Sequence, residues 1–173
     1  KKVEILLIFG IGSYATFTTY FTIDYYLKKW SQSYRKIQEQ QRFYVLSNLI
    51  KSGLLFVYTP LAFWTLVQVP LNASRFSGME YSWPTIRIQQ LGCLYAIPDF
   101  VSLFLVAKMQ INTRIHHICV CIFTYINSHN EFEEECIWNA IVVYAIFSTF
   151  SYAVNFMLAS RFLHLHPILN YPL

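Results

Sequence analysis

Apolar residues along this chain fall into five long blocks separated by short polar segments. The blocks are Ile5–Leu27, Phe43–Val69, Thr85–Ala107, Ile111–Ser128 and Cys136–Leu163. They show no alternation at a period of two and are far longer than strands, which favours helices. An α-helix needs roughly 20 mainly apolar residues to cross the ~30 Å hydrocarbon core of a bilayer. The pattern predicts an all-α, multi-pass transmembrane helical bundle with about five spans, of which the fourth is the shortest.

The composition also indicates a membrane protein. The 173 residues are 55% hydrophobic and only 13% charged, whereas soluble domains are about 25% charged. The cysteines lie in or beside the blocks, where thiols behave as small apolar side chains, and Cys119 and Cys121 point to different sides of a helix. We therefore expect one transmembrane domain over residues 1–173, with no metal and no cofactor. Because the sequence starts at Lys1, a presequence or a further N-terminal helix stays an open expectation.

Basic residues are divided unequally between the two sides of the predicted bundle. With five spans, segments 28–42 and 108–114 and the C-terminal tail share one side, which we call the basic side. Its eight basic residues are Lys28, Lys29, Arg35, Lys36, Arg42, Lys108, Arg114 and Arg161. The opposite side carries four, Lys1, Lys2, Arg75 and Arg87, and also the acidic run 131–135.

By the positive-inside rule, the basic side faces the cytosol, or the matrix in a mitochondrion. We therefore expect an integral protein of an endomembrane, such as the endoplasmic reticulum, or of the mitochondrial inner membrane. Its C-terminus and basic loops would lie on the cytosolic or matrix side. The positive charge resides mostly in these loops, so nucleic-acid binding is not expected.

Few strongly polar side chains lie inside the blocks, and ionisable ones cost from about 2.5 to more than 10 kcal/mol in hydrocarbon. The polar set is Lys51, Asp99, His116, His117 and Asn155. Lys51 and Asp99 each lie about eight residues from the basic-side end of their block, roughly 12 Å deep at 1.5 Å per residue. Asn155 lies at a similar depth, and the two histidines enter from the same side. We predict that the five residues line a polar lipid cavity open to the basic side.

The same residues also allow a purely structural interpretation. Lys51 and Asp99 could form an ion pair that clips two helices together, and the histidines could be interfacial residues beside Arg114. Asn155 is typical of interhelical hydrogen bonds. Adjacent helical residues project about 100° apart, so at most one histidine is expected to point straight into the cavity.

Residues 91–123, LGCLYAIPDFVSLFLVAKMQINTRIHHICVCIF, resemble the central signature of the TLC-domain family of multi-pass membrane proteins. In that family a span with an Asp near its end is followed, after a polar turn, by a His-His pair that opens the next helix. FSTFSYAVNFMLASRFL (147–163) is similar to the family's closing helix, with Asn155 and Arg161 at its polar positions. SNLIKSGLLF (47–56) is similar to an earlier helix. The resemblance covers about residues 43–163.

The resemblance implies an endomembrane protein that handles lipids. Ceramide synthases of the family join an acyl group from acyl-CoA to a sphingoid amine, which makes His116 and His117 candidate catalytic residues with Asp99 as their partner. Those enzymes carry further Asp residues after the His pair, whereas this chain has no Asp after Asp99. The departure favours a lipid-binding protein that is not catalytic and whose partners are membrane lipids.

Two alternatives stay open at the level of sequence. The first is a structural accessory subunit that packs against other membrane subunits, for example in a respiratory complex. The second is a ceramide-synthase-like, acyl-CoA-dependent N-acyltransferase that uses His116 or His117.

Overall fold

The computed structural model describes residues 2–75, 85–130 and 137–163, and within these ranges the chain forms helices and no strand. The helices are α1 (Lys2–Trp30), α2 (Gln32–Lys36), α3 (Glu39–Arg75), α4 (Thr85–Leu105), α5 (Ile111–Asn127), α6 (Ile137–Ser148) and α7 (Tyr152–Leu163). The prediction of an all-α helical bundle is confirmed. The acidic run 131–135, predicted to lie opposite the basic side, falls outside the described residues.

Four helical stretches are long and apolar enough to cross a membrane, counted over the described part of the chain. They are Val3–Trp30, Glu39–Thr65, Thr85–Leu105 and Ala140–Leu163. The fourth predicted block forms α5, whose 17 residues extend about 26 Å, slightly less than the hydrocarbon thickness. By length and composition, the described residues therefore contain four candidate spans, and α5, the shortest predicted block, is not among them.

Helix α5 nevertheless runs antiparallel to α4 through most of the same depth of the bundle. At one end His117 lies beside Asp99. At the other end the Gln89 side chain donates a hydrogen bond of 2.7 Å to the carbonyl of Asn130, just beyond α5. The two helices therefore lie side by side along nearly the whole of α4, which explains how His117 of α5 can lie opposite Asp99.

The last apolar block is interrupted by a 3-10 turn, Thr149–Ser151, between α6 and α7. The Thr149 hydroxyl donates to the carbonyl of Ile146 at 2.6 Å, and the Ser148 hydroxyl lies 2.7 Å from the carbonyl of Ala145. Serine and threonine side chains that bond back to the preceding turn tend to bend helices. Beyond the turn, α7 packs against α3. The apolar composition of the block does not indicate this break.

The connection between α1 and α3 is folded tightly around a buried tyrosine. Tyr34 of α2 is fully buried, and its hydroxyl donates to Asp24 Oδ1 at 2.7 Å. The other oxygen of Asp24 accepts a hydrogen bond of 2.6 Å from Lys28. Ser31 caps α2 by accepting from the Tyr34 backbone N–H, and the Arg42 guanidinium lies 5.9 Å from the Tyr34 ring centroid. Burial raises the pKa of the Tyr34 phenol, and the Asp24 carboxylate raises it further.

Two apolar clusters of buried residues join the described helices other than α5. The larger cluster joins α1, α2, α3, α4 and α7 near the end of the bundle that carries α2. Its buried members are Tyr20, Tyr34, Ile37, Val45, Leu46, Ile50, Val101, Ala159 and Leu163. The smaller cluster is Ala62, Ile88, Val142 and Ile146, where α6 meets α3 and α4.

Candidate functional site

Three side chains from three helices meet inside the bundle, and we call them the Lys–Asp–His cluster. Lys51 Nζ on α3 donates a hydrogen bond of 2.5 Å to Asp99 Oδ1 on α4. His117 Nδ1 on α5 lies 2.8 Å from the same oxygen. Asp99 is fully buried, and the side chain of Lys51 is only 11% exposed. Three of the five residues predicted to share a site are therefore in contact.

A proline sets the local structure around the carboxylate. Asp99 directly follows Pro98, which lies inside α4. Because proline has no N–H, it cannot donate the usual helical hydrogen bond to the carbonyl four residues earlier. One turn further on, the Ser102 hydroxyl donates to the Asp99 carbonyl at 2.8 Å. Polar groups thus concentrate where α4 faces α3 and α5.

Two buried atoms of the Lys–Asp–His cluster have no hydrogen-bond partner among the described residues. They are Asp99 Oδ2 and His117 Nδ1. The closest polar atom to the His117 nitrogen is Asp99 Oδ1, at 2.8 Å. Buried polar atoms in native proteins nearly always have a protein or water partner. The cluster therefore retains capacity for a further proton or a hydrogen-bonding group.

His116 lies in a different environment from its neighbour. Its side chain is exposed on the protein surface, whereas His117 is buried. The two ring centroids are 5.7 Å apart. His116 borders a cavity that it shares with Lys51. The adjacent histidines thus face different surroundings, in keeping with the offset of about 100° between consecutive helical residues.

A cavity of about 320 Å³ lies between α3, α4, α5 and α6. Its apolar lining includes Ala62, Ile88, Leu91, Val120, Phe123, Ile141, Val142, Ala145 and Ile146. Lys51 and His116 are the ionisable groups at the end nearest the Lys–Asp–His cluster. Along α5 the lining continues from His116 to Asn127, a rise of about 16 Å at 1.5 Å per residue. The cavity is therefore elongated along the helices and mainly apolar, with Lys51 and His116 at one end and the amide of Asn127 at the other.

The cavity is flanked by two helices that do not pack extensively on each other. Helix α5 packs on α4, and α6 packs on α3. In the described structure α5 and α6 do not form one of the main helix pairs with each other. The hydroxyls of Tyr95 on α4 and Ser148 at the end of α6 are hydrogen-bonded at 2.9 Å and both border the cavity. The space between α5 and α6 is thus the lateral side of the cavity.

Asn155, the fifth predicted site residue, belongs neither to the Lys–Asp–His cluster nor to the lining of the cavity. Its side-chain amide donates to the Ser151 carbonyl on its own helical stretch at 2.9 Å. Neither Asn155 nor Asp99 nor His117 is among the residues that line the cavity. Sequence reasoning missed Tyr95 and Ser148, because nothing in their local sequence distinguishes them from the other hydroxyl residues of the apolar blocks.

Comparisons with protein-family models, with curated proteins and with solved structures found no match to this chain. The resemblance to TLC-domain proteins therefore stays a prediction that rests on the quoted residues. Among the described residues, no group of three or more His, Cys, Asp or Glu side chains is arranged to hold a metal ion. What the site can do is therefore decided by its own geometry.

Proposed function

We propose that this protein is a TLC-like membrane protein that binds a lipid without transforming it. One acyl chain would occupy the cavity between α3, α4, α5 and α6, and its headgroup would lie at Lys51 and His116. The observation that carries this proposal is an elongated, mainly apolar cavity of about 320 Å³ between these helices, whose lysine and histidine, Lys51 and His116, lie at the same end. Such polarity matches that of a lipid.

The size and position of the cavity support a single chain. Binding pockets for small molecules are about 300–1,000 Å³, so 320 Å³ is at the lower limit and suits part of a lipid. Because α5 and α6 flank the cavity without extensive mutual packing, a chain could enter sideways from the bilayer. The basic side would face the cytosol or the matrix, so the headgroup end would lie in that leaflet.

An acyltransferase is the second candidate, since His116 borders the cavity. A general base is usually held by a third group that orients it. Here Asp99 lies beside His117, which does not line the cavity, while His116 has no acidic partner among the described residues. The acid–base pair and the accessible imidazole are thus on different histidines. This separation favours lipid binding over catalysis.

Mass spectrometry of the purified protein, with its copurified lipids retained, tests the proposal. We expect a bound lipid in the natural protein and its loss in Ala145→Trp, because the larger side chain would fill the cavity beside Ala145. Ala153→Trp is the matched control, since Ala153 is exposed on α7 and does not line the cavity.

Equal lipid occupancy in both variants would refute binding in this cavity. Acyl transfer by the natural protein that is lost in His116→Ala would favour the enzyme. Recovery of the protein only within a larger assembly, with no bound lipid, would favour the accessory subunit.

A further inference from the structure

We infer that the cavity selects a single-chain lipid with one negative charge, of the carboxylate class, held by Lys51 and His116. The inference rests on the proposed function and adds the chemistry of the headgroup. It depends on three features of the end of the cavity at Lys51 and His116: unused hydrogen-bond donors, resident charges that cancel, and one imidazole that can accept a proton.

Lys51 has donors left over after it binds Asp99. An ammonium group carries three N–H donors, and the single hydrogen bond found for Lys51 among the described residues is the one to Asp99 Oδ1. The remaining exposed part of Lys51 borders the cavity. His116 borders the same end, and its ring has no hydrogen-bond partner in the described part of the chain. A headgroup rich in acceptor atoms therefore meets two available donor groups.

The resident charges at this end already cancel. Lys51 is positive and Asp99 is negative, so an incoming anion would add one uncompensated charge in a medium of low dielectric, which is costly. Imidazole is the side chain that ordinarily changes charge near neutral pH. His116, which borders the cavity, would compensate the anion by taking up one proton. Apart from His117, the other titratable groups near Asp99 are Tyr20 on α1 and Cys121 on α5, and neither can become positive.

This charge balance distinguishes between headgroups. A carboxylate adds a single negative charge, which one protonated imidazole neutralises. A phosphate monoester carries about −1.5 to −2 near pH 7 and would require a second proton on adjacent rings. An alcohol or an amide adds no charge, so it would gain hydrogen bonds but no ionic attraction. The carboxylate class therefore fits the site best.

The test compares palmitate with palmitamide, which has the same chain and an uncharged headgroup. Binding is measured by competition against radiolabelled palmitate, with the full-length protein in phosphatidylcholine nanodiscs. We expect palmitate to bind about tenfold more tightly than palmitamide, as for hydrogen bonds that gain a charged partner. That ratio should fall towards one in His116→Gln, and by a smaller factor in the charge-neutral double variant Lys51→Gln with Asp99→Asn, which loses the ammonium donors but keeps the imidazole. His129→Gln, which changes an exposed histidine beyond α5, should keep the ratio.

A second measurement isolates the proton. Hexadecanesulfonate has a permanent single negative charge, so any pH dependence of its binding comes from the protein. We expect it to bind at least about threefold more tightly at about pH 6 than at about pH 8, while palmitamide does not change. Acetate should not compete, because it lacks the chain.

The outcomes separate this inference from the proposed function. If palmitate and palmitamide bind equally well, or if His116→Gln leaves their ratio unchanged, the headgroup inference is overturned and lipid binding stands. A sulfonate affinity that does not vary with pH overturns the proton uptake. If neither chain binds, lipid binding itself fails.

Discussion

Substitution of Lys51 by methionine should destabilise the bundle strongly, because it leaves a buried carboxylate without its cation. Asp99 is fully buried, so its charge cannot reach water when Lys51 is removed. Removing one partner of a buried ion pair costs about 3–5 kcal/mol. We expect the free energy of unfolding of Lys51→Met to fall by that amount near pH 8.

Removal of the other partner of the ion pair, in Asp99→Asn, should lower the free energy of unfolding by less. In Asp99→Asn the remaining ammonium of Lys51 is 11% exposed and borders the cavity, so it can be solvated there. We expect a loss of about 1–3 kcal/mol, typical of a charged hydrogen bond. The double variant Lys51→Met with Asp99→Asn removes both charges and should be more stable than Lys51→Met alone, since neutral replacements of buried pairs are often tolerated.

Reversible unfolding in bicelles, for example by steric trapping, measures these free energies. Lys29→Met is the matched control, since Lys29 is exposed at the end of α1. If Lys51→Met loses less than about 1 kcal/mol at pH 8, as an exposed ion pair would, the Lys–Asp–His cluster does not hold the helices together.

Two further predictions concern helix packing and the connection between α1 and α3. Gly12→Val should lose about 1 kcal/mol in the same unfolding assay, at the low end for overpacking, because a Cβ there would lie 2.5 Å from Ile97 Cδ1, the flexible end of a side chain that can shift. Gly10→Val meets no atom within 4 Å and should lose nothing; equal losses would contradict the packing. Tyr34→Phe should lose about 1.5–3 kcal/mol with the hydrogen bond to Asp24. Because burial raises the pKa of Tyr34 in the folded state, its contribution is present below the unfolded-state pKa of about 10 and is lost at higher pH. Stability measured between about pH 8 and pH 11 should therefore fall less steeply in Tyr34→Phe, and identical slopes would contradict this assignment.

Much of the helical architecture follows from the sequence. In hydrocarbon the backbone N–H and C=O groups must be hydrogen-bonded within the chain, and a long apolar segment meets this requirement as a helix. The blocks Phe43–Val69 and Thr85–Ala107 correspond to α3 and α4. A fixed rise per residue also predicts that Lys51 and Asp99 lie at one depth, and they form an ion pair. The 3-10 turn after Ser148 was not predictable in this way, because hydroxyls that bond back to the preceding turn, as at Thr149, also occur in uninterrupted helices such as α1, at Thr22.

Sequence alone determined that this chain consists of long apolar helices with a few polar residues at a shared depth, since length, hydropathy and helical rise are local properties. Tertiary packing decided which of those residues meet. The rotation of α5 against α4 places His117 beside Asp99 and leaves His116 at the cavity, and adjacent residues carry no sequence signal for that rotation. Asn155 shares the predicted depth but bonds to Ser151 on its own helical stretch, because depth does not specify the direction in which a side chain points.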